Sequence, residues 1–418
     1  MAKIALVMPR STFLETPLVW QPLGLFYISA RLESLGHSVD FFDLNEDTLP
    51  PDGEYSQLWV SATAPQIAEV RRIAQETMGW KTKRVLGGAV VWANPDSCRD
   101  MGYDLLVGGE SDQPGVVEQL IDTAEHCEAN TYIPIATSHT LDWVLAPSRK
   151  WSHKYHAQMP DASGKVHTLT TMFTTRGCPL TCAFCESGRL GVIWDKHTRY
   201  EPLPIVEQQI REIADLGYSG IGYYDDVMPL NKPRTLAIMD LHKKYNMVWR
   251  GFVRTDIVCN HGGFEYMRAL RDGGLIEIFV GVESADNRIK NGIFKKTTIE
   301  QDTQVLEWCK QLGIRMKCSF ILGLPGESRE SMERTREWIL THRPHRAQIG
   351  RLIPFAGTPL GDHPEMFDIT YERQPSEDWY YSGNNTHSFV STSNLTRQEI
   401  DDYYHALMAE LKQEGIPS

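Results

Sequence analysis

The sequence predicts an α/β protein: an N-terminal doubly wound parallel sheet, then an open (β/α)6 barrel, then a short helical C-terminal tail. Two observations carry this. Short apolar runs alternate with helix-period stretches along most of the 418 residues, and many of those runs end in glycine, as parallel strands do where they turn into helices. Between residues 128 and 165 that rhythm fades under Pro, Ser, His and Lys, which marks a linker. The expected divisions are residues 1–127, a linker over 128–165, a barrel over 166–362 and a tail over 363–418.

The elements follow in order. Ile4 to Met8 reads as a first strand, and Leu25, Ile28, Leu32 and Leu35 give a helix that Gly36 stops. Strands are expected at Val39–Phe42 and Leu58–Ser61, with a helix from Pro65 to about Met78. Arg84–Leu86 then runs into Gly87-Gly88, and Asp104–Val107 into Gly108-Gly109-Glu110. A sheet of this kind places its ligand crevice at the carboxyl ends of its strands. Beyond the linker, apolar strands lie near 170–175, 220–225, 249–254, 276–282, 315–322 and 347–353. Helices between them carry Ile210, Ile213 and Leu216, or Phe264, Met267 and Leu270, on one face. Six such units make three-quarters of a (β/α)8 barrel, whose active site belongs at the C-terminal rim. The tail ends in an amphipathic helix capped near Asn394 or Thr396 and reaching about Leu411.

With 41% hydrophobic and 23% charged residues the composition is that of a globular protein, and no apolar run approaches the ~20 residues of a membrane span. The apolar stretch at the N-terminus is too short for a signal peptide, so the cytoplasm is the expected compartment. A net charge of −12 gives no bulk attraction for nucleic acid, and the basic stretch His342-Arg343-Pro344-His345-Arg346 reads as a solvated loop.

Eight cysteines in such a chain are not a disulfide framework. Cys309 and Cys318 stand in apolar surroundings, as small hydrophobes do. Cys178, Cys182 and Cys185 crowd into eight residues just after the first barrel strand, with gaps of three and two. Such gaps curl the backbone round one small object. A cubane iron–sulfur cluster normally takes four thiolates, and with three nearby one iron keeps an open position, able to bind the amino and carboxylate groups of S-adenosylmethionine. The alternative is a structural zinc site. That needs a second Cys or His element to close a tetrahedron, and His197 is the one nearby candidate.

The spacing, with Phe184 just before the last cysteine, resembles the radical S-adenosylmethionine (radical SAM) superfamily, and the resemblance extends over about 170–360. Ile221-Gly222-Tyr223-Tyr224-Asp225-Asp226 is similar to its second-strand motif, which implies that Asp225 faces the cofactor's amino group, with Asp226 the less certain partner. Arg254, in the stretch that ends the third strand, is implied as a further cofactor contact. Gly281-Val282-Glu283-Ser284 ends the fourth, where family members contact the ribose or methionine carboxylate. The stretch Phe320 to Glu327, with Gly323, resembles the element that flanks adenine, and Pro354 to Leu360 the ending of the sixth strand. The resemblance thus implies a 4Fe–4S cluster, S-adenosylmethionine and an electron donor such as flavodoxin or ferredoxin.

The first domain resembles the cobalamin-binding domain that precedes the barrel in one large branch of the superfamily, the class B methylase-like enzymes. The matching stretches are Gln21–Leu25, Leu35–Val39, Ser61-Ala62-Thr63, Gly87-Gly88 and Gly108-Gly109-Glu110, with Leu141 to Pro147 in the linker. The resemblance implies cobalamin over the small residues Ser61, Thr63, Gly87, Gly88 and Gly108. The loop Pro9–Glu15 lacks the histidine by which some cobalamin proteins ligate cobalt. The function implied is methylation of an unactivated carbon in a small-molecule or peptide substrate; the alternative is cyclisation, oxidation or rearrangement without methyl transfer. Methylthio transfer to tRNA is disfavoured, because the first domain lacks three closely spaced cysteines. A bare electron carrier would leave the open iron and the barrel without a purpose. Trp194, Tyr223, Tyr224, Trp379-Tyr380-Tyr381 and Tyr403-Tyr404 are aromatic groups with two readings, pocket or packing, and packing is favoured for the tail.

Overall fold

An unbroken apolar run has no solvated face, so it belongs inside a sheet covered on both sides. The computed structural model, which describes residues 1–187, 197–372 and 387–418, places the N-terminal run there. β1 (Lys3–Met8) lies between β2 (Ser38–Asp43) and β3 (Gln57–Ser61). β4 (Lys83–Gly87), β5 (Leu105–Gly108) and β6 (Thr131–Pro134) extend the sheet in the order β2-β1-β3-β4-β5-β6, every pair parallel. Alternate residues point to opposite faces: Ile4 and Leu6 join Leu25, Phe26 and Leu32 in one core. Ala5 and Val7 join Val70, Ile73 and Val90 in the other.

The expected linker is a correction. The first compact unit runs to Ala157, and residues 128–157 are built into it. Thr131–Pro134 is its sixth strand. Trp151 packs 5.8 Å from Phe26 and 5.4 Å from Phe41, and the buried Tyr155 hydroxyl donates to the Asp43 carboxylate. A four-residue edge strand and two lone aromatic anchors carry no periodicity, which is why the segment reads as irregular.

The second unit begins at Gln158. β7 (Ala157–Pro160) edges a sheet whose next strand is β8 (Val166–Met172), and β9 (Thr175–Arg176) pairs antiparallel with β10 (Arg199–Tyr200) in a small hairpin. β11 (Gly220–Tyr223), β12 (Val248–Phe252), β13 (Leu275–Glu283), β14 (Arg315–Leu322) and β15 (Arg346–Arg351) complete the order β15-β14-β13-β12-β11-β8-β7. From β8 to β15 the six neighbours are parallel, as the six-unit barrel requires. Helices Leu203–Asp215, Lys232–Tyr245, Phe264–Asp272, Ile299–Leu312 and Arg329–His342 cover its outer face. There Ile210, Met239, Leu270 and Ile339 meet Ile221, Trp249, Ile278 and Phe320, with Cys309 and Cys318 in the same core.

The tail helix Arg397–Gln413 starts where Thr396 and Glu399 cap each other reciprocally. It buries Ile400, Tyr403, Leu407 and Leu411 in the barrel core. The Tyr403 hydroxyl donates to Glu333 at 3.0 Å, and the Arg351 guanidinium lies 3.9 Å from the Tyr404 ring centre. Both tyrosines therefore pack. So does Tyr223, which is buried and bonded to His242 at 2.6 Å. Trp194 and Trp379-Tyr380-Tyr381 lie outside the described residues. Among the described residues no helix is long and apolar enough to cross a membrane.

The tail is held by one buried ion pair: Arg351 Nη1 meets Asp401 Oδ1 at 3.0 Å, and the Ser388 N–H donates to the same carboxylate at 2.6 Å. Removing one partner of a buried pair costs ~3–5 kcal/mol. Asp401→Ala is expected to lose about that much in urea denaturation, and the apolar pair Arg351→Met with Asp401→Leu to recover most of it. A loss below ~1 kcal/mol in Asp401→Ala would show that the pair does not anchor the helix.

Candidate active site

Parallel strands send alternate side chains inward, so the interior of the partial barrel is layered. Lowest is charge: Glu277, buried, with Arg250 at 3.1 Å, Lys317 at 3.3 Å and Arg315 at 3.4 Å. Next is an aromatic layer, Phe252 against Phe279 with ring centres 5.2 Å apart and Tyr224 a further 6.2 Å away. Above that floor a cavity of about 190 Å³ opens at the strands' C-terminal ends, lined by Cys178, Cys182, Cys185, Arg254, Glu283 and Lys295, among others.

The cysteine loop is hung at both ends and pinned at its centre. β9 and β10 close it, and Gly177 turns into it at φ +87°, where a Cβ would stand 3.1 Å from the His197 carbonyl oxygen. Halfway round, the Ala183 N–H donates to Ile293 O at 2.9 Å and its carbonyl accepts from the Leu360 N–H at 3.1 Å. Cys178 and Cys182 are buried and Cys185 is half-buried. Burial pushes the Cys178 thiol up to about 12, so its thiolate needs positive charge close by.

The fourth-strand end is strained. β13 shifts register against β14 between Gly281 and Glu283, and Glu283 holds φ +67°. This turns its side chain back over Gly281, where a Cβ would stand 2.1 Å from Glu283 Oε1. A side chain there would displace the ends of Glu283 and Lys295 from these positions. Glu283 Oε1 pairs with the buried Lys295 Nζ at 2.9 Å, and Ser319 Oγ donates to Oε2 at 3.4 Å. Burial works against the Lys295 charge, yet Glu283 beside it holds that ammonium above its usual pKa.

The predicted site residues divide. The three cysteines, Arg254 and Glu283 line the cavity; Asp225, Ser284 and Gly323 do not, and Asp226 does. Asp225 is fully buried, accepting the Thr174 and Thr175 N–H groups at 2.6 and 3.2 Å and the Thr174 hydroxyl. Burial pushes its carboxyl up to about 6 against those bonds. The neighbouring Asp226 takes the open side, its carboxylate accepting from Ser187 Oγ at 2.6 Å. Ser284 is buried in a turn, its hydroxyl accepting the Asp286 N–H at 3.2 Å. At Gly323, φ is +83° and a Cβ would meet Ile400 at 2.9 Å, so this glycine makes room for the tail helix. The sequence reading missed Lys295 and the Phe252–Phe279 floor. Alternation along β12 and β13 could have found the two rings; nothing local marks the lysine.

In the first unit the predicted residues stand at the carboxyl rim, and the sheet itself uses much of their smallness. A Cβ on Gly88 would lie 2.5 Å from Ala62 O and 2.8 Å from Ser61 Oγ, and one on Gly108 would lie 2.6 Å from the Tyr132 hydroxyl. Gly87 has ordinary contacts at 3.6 Å and beyond. Thr63 caps the next turn, its N–H donating to Gln66 Oε1 at 3.0 Å. Ser61 and Gly88 are partly exposed and Thr63 exposed, with no bulky side chain at the three positions, which suits a flat ligand laid on the rim.

Three sulfurs on one cavity wall, with two buried cations among its linings and no other cysteine, fit the donor set of a cubane cluster that keeps one iron open. Among the described residues no three His, Cys, Asp or Glu side chains converge to hold a single metal ion.

Comparison with known proteins agrees with this geometry. Residues 172–339 match the family model of the radical SAM superfamily. An uncharacterized methyltransferase of Pyrococcus horikoshii is 31% identical over 199 residues, 46% of this chain and 41% of that protein. The chain thus spans less than half the length of this relative. The hopanoid C-3 methylase of Methylococcus capsulatus is 24% identical over 369 residues, 81% of this chain and 67% of that protein. Among solved structures, the radical S-adenosylmethionine methyltransferase TsrM from Kitasatospora setae, with cobalamin and a 4Fe–4S cluster bound, has a TM-score of 0.68. The match covers 99% of this chain and 89% of that one at 14% identity, a likeness of fold.

One buried acid gives the region a pH dependence. Glu327 accepts the Gly323 and Leu324 N–H groups at 2.7 and 3.3 Å, and burial pushes its carboxyl up to about 8 from the ordinary 4.5. The folded state prefers the neutral acid, so its contribution is complete below pH 4.5 and is lost as pH rises through about 8. Glu327→Gln, which keeps an acceptor and cannot ionise, is expected to flatten this slope at ~1.4 kcal/mol per pH unit. Urea denaturation of both proteins at pH 5 and pH 9 measures it; parallel slopes would refute the assignment.

Proposed function

From a chain whose residues 172–339 form a radical SAM domain, we propose a cobalamin-dependent radical SAM enzyme that methylates an unactivated carbon of a small-molecule or peptide substrate. The observation that carries this reading is the placing of Cys178, Cys182 and Cys185 around one cavity that no other cysteine lines. The fold likeness to TsrM over 99% of the chain supports it. When bound, the cluster with S-adenosylmethionine would supply radical hydrogen abstraction from the substrate carbon, and cobalamin would supply the methyl group.

The chain's own residues position and exclude. Cys178, Cys182 and Cys185 hold the iron. Asp226, at the cavity wall, supplies the negative charge for the cofactor's amino group, taking the part expected of Asp225. The Glu283–Lys295 pair offers a carboxylate for ribose hydroxyls and an ammonium for the methionine carboxylate. The Phe252–Phe279 layer closes the floor against water, which preserves a reactive radical. Ser61, Thr63, Gly87, Gly88 and Gly108 carry cobalamin at the first unit's rim, and the loop Pro9–Glu15 gives the cobalt no histidine. A low-potential donor such as flavodoxin or ferredoxin would supply the cluster's electron, and the cytoplasm is the compartment this reading proposes.

Anaerobic reconstitution is expected to load about four irons per chain, and simultaneous Ala replacement of the three cysteines to abolish both the iron and the cleavage of S-adenosylmethionine. Retention of both in the triple variant would end the cluster assignment. The two aspartates should separate. Asp226→Asn weakens S-adenosylmethionine binding about tenfold or more with iron intact, whereas Asp225→Asn, which loosens the root of the cysteine loop, lowers iron content. The reverse pattern would restore Asp225 to the cofactor.

Protein refolded with hydroxocobalamin should keep it through gel filtration, with a spectrum lacking a protein nitrogen ligand. Label from the methyl of S-adenosylmethionine should then appear in product. Cobalamin retained without label would move the reading to cyclisation, oxidation or rearrangement, and no retention would leave a radical SAM enzyme without cobalamin.

A further inference from the structure

Arg254 lines the cavity, and its guanidinium is engaged by the protein itself. It is 6% exposed. Nε and Nη2 form a fork on Asp256, at 3.1 Å to Oδ1 and 3.0 Å to Oδ2, and Nη2 also donates to the Lys295 carbonyl at 2.6 Å. That leaves Nη1 on the opposite edge, 3.6 Å from Cys182 Sγ. Arg254 immediately precedes helix Thr255–Asn260, and Asp256 sits in that helix's first turn, so the clamp is built where β12 ends. A planar guanidinium gripped along one edge has little freedom to turn. It joins three pieces of chain: the strand end, the segment that carries Lys295, and the cysteine loop.

We propose that Arg254 is a positioning residue that holds up the reduction potential of the cluster by donating to the Cys182 sulfur, and that Asp256 sets how much positive charge the sulfur feels. The inference rests on the reading that Cys178, Cys182 and Cys185 hold a cluster. Reduction adds one electron, drawn from an external low-potential donor, and no bond forms or breaks. The added negative charge is stabilised by a hydrogen bond and a cation at a ligating sulfur, and burial lets that charge act with little screening. The carboxylate lies on the far edge of the guanidinium and partly cancels it. Removing the guanidinium therefore leaves a bare carboxylate and lowers the potential, while removing the carboxylate's charge leaves the guanidinium whole and raises it. A purely structural clamp predicts no such opposition of sign.

The experiment compares anaerobically reconstituted wild type, Arg254→Gln, Arg254→Lys and Asp256→Asn. Iron content comes first, then an electron paramagnetic resonance titration of the cluster with dithionite. In Arg254→Gln the reduced-to-oxidised ratio at the wild-type midpoint should fall about tenfold, a shift of about 59 mV for one electron. Arg254→Lys, which keeps the charge and loses the fork, should recover part of that shift, and Asp256→Asn should shift the other way. Unchanged midpoints, or shifts of one sign in Arg254→Gln and Asp256→Asn, would overturn the proposal while leaving the cluster reading standing. Should Arg254→Gln load no iron, a lowered midpoint in Arg254→Lys with a raised one in Asp256→Asn supports the proposal, and any other pattern overturns it. A wild type that takes up no iron at all defeats the cluster reading itself.

Discussion

The candidate site depends on how the buried Asp225 holds the root of the cysteine loop. Its carboxylate takes the N–H groups of Thr174 and Thr175 just where β8 has ended and the hairpin of β9 begins. Those two amides face away from any strand ladder, and a buried N–H left without an acceptor is costly. One carboxylate satisfies both. The direction in which the chain leaves the barrel, and hence the placing of three sulfurs from eight residues, follows from that. Arg234 adds a second tie, donating through Nη2 to the Thr174 carbonyl at 3.2 Å.

Around that anchor the barrel interior grades from charge through aromatic rings to the cavity. Two of the buried charge groups are pairs: Glu283 with Lys295, and beside them Lys290 with Asp302, whose carboxylate also accepts from Thr255 Oγ1 at 2.7 Å. Buried pairs of this kind give little net stability, because desolvation offsets most of the attraction. What they fix is position. The Glu283 pair is aimed by a register shift and a left-handed backbone, strain that a merely stabilising residue has no reason to carry.

The first unit obeys the opposite economy. Its two cores are mainly apolar, with the buried Gln57 donating to Ile121 O at 2.9 Å, and at the carboxyl rim Gln66 Nε2 ties the loop after β1 together through Pro9 O at 2.9 Å and Ser11 Oγ at 3.1 Å. Gly88 and Gly108 are needed first by the sheet, whose neighbouring groups fill the space a Cβ would take. A glycine after a parallel strand thus carries two meanings at once, and its presence in the sequence does not separate them.

The order of strands and helices, the two-part architecture, the three cysteines and the capped tail helix were all legible in the sequence, because each is written in local periodicity, spacing or a cap. The strand expected near 315–322 is Arg315–Leu322, whose burial alternates with period 2. The linker misled because a short edge strand and isolated aromatics leave no period. Only the tertiary structure decided which of Asp225 and Asp226 lines the cavity, that Glu283 is answered by Lys295 twelve residues later, and that Arg254 is spent on Asp256 and Cys182. Those outcomes depend on a turn, a register shift and a close approach between distant segments, none of which leaves a repeating pattern in the chain.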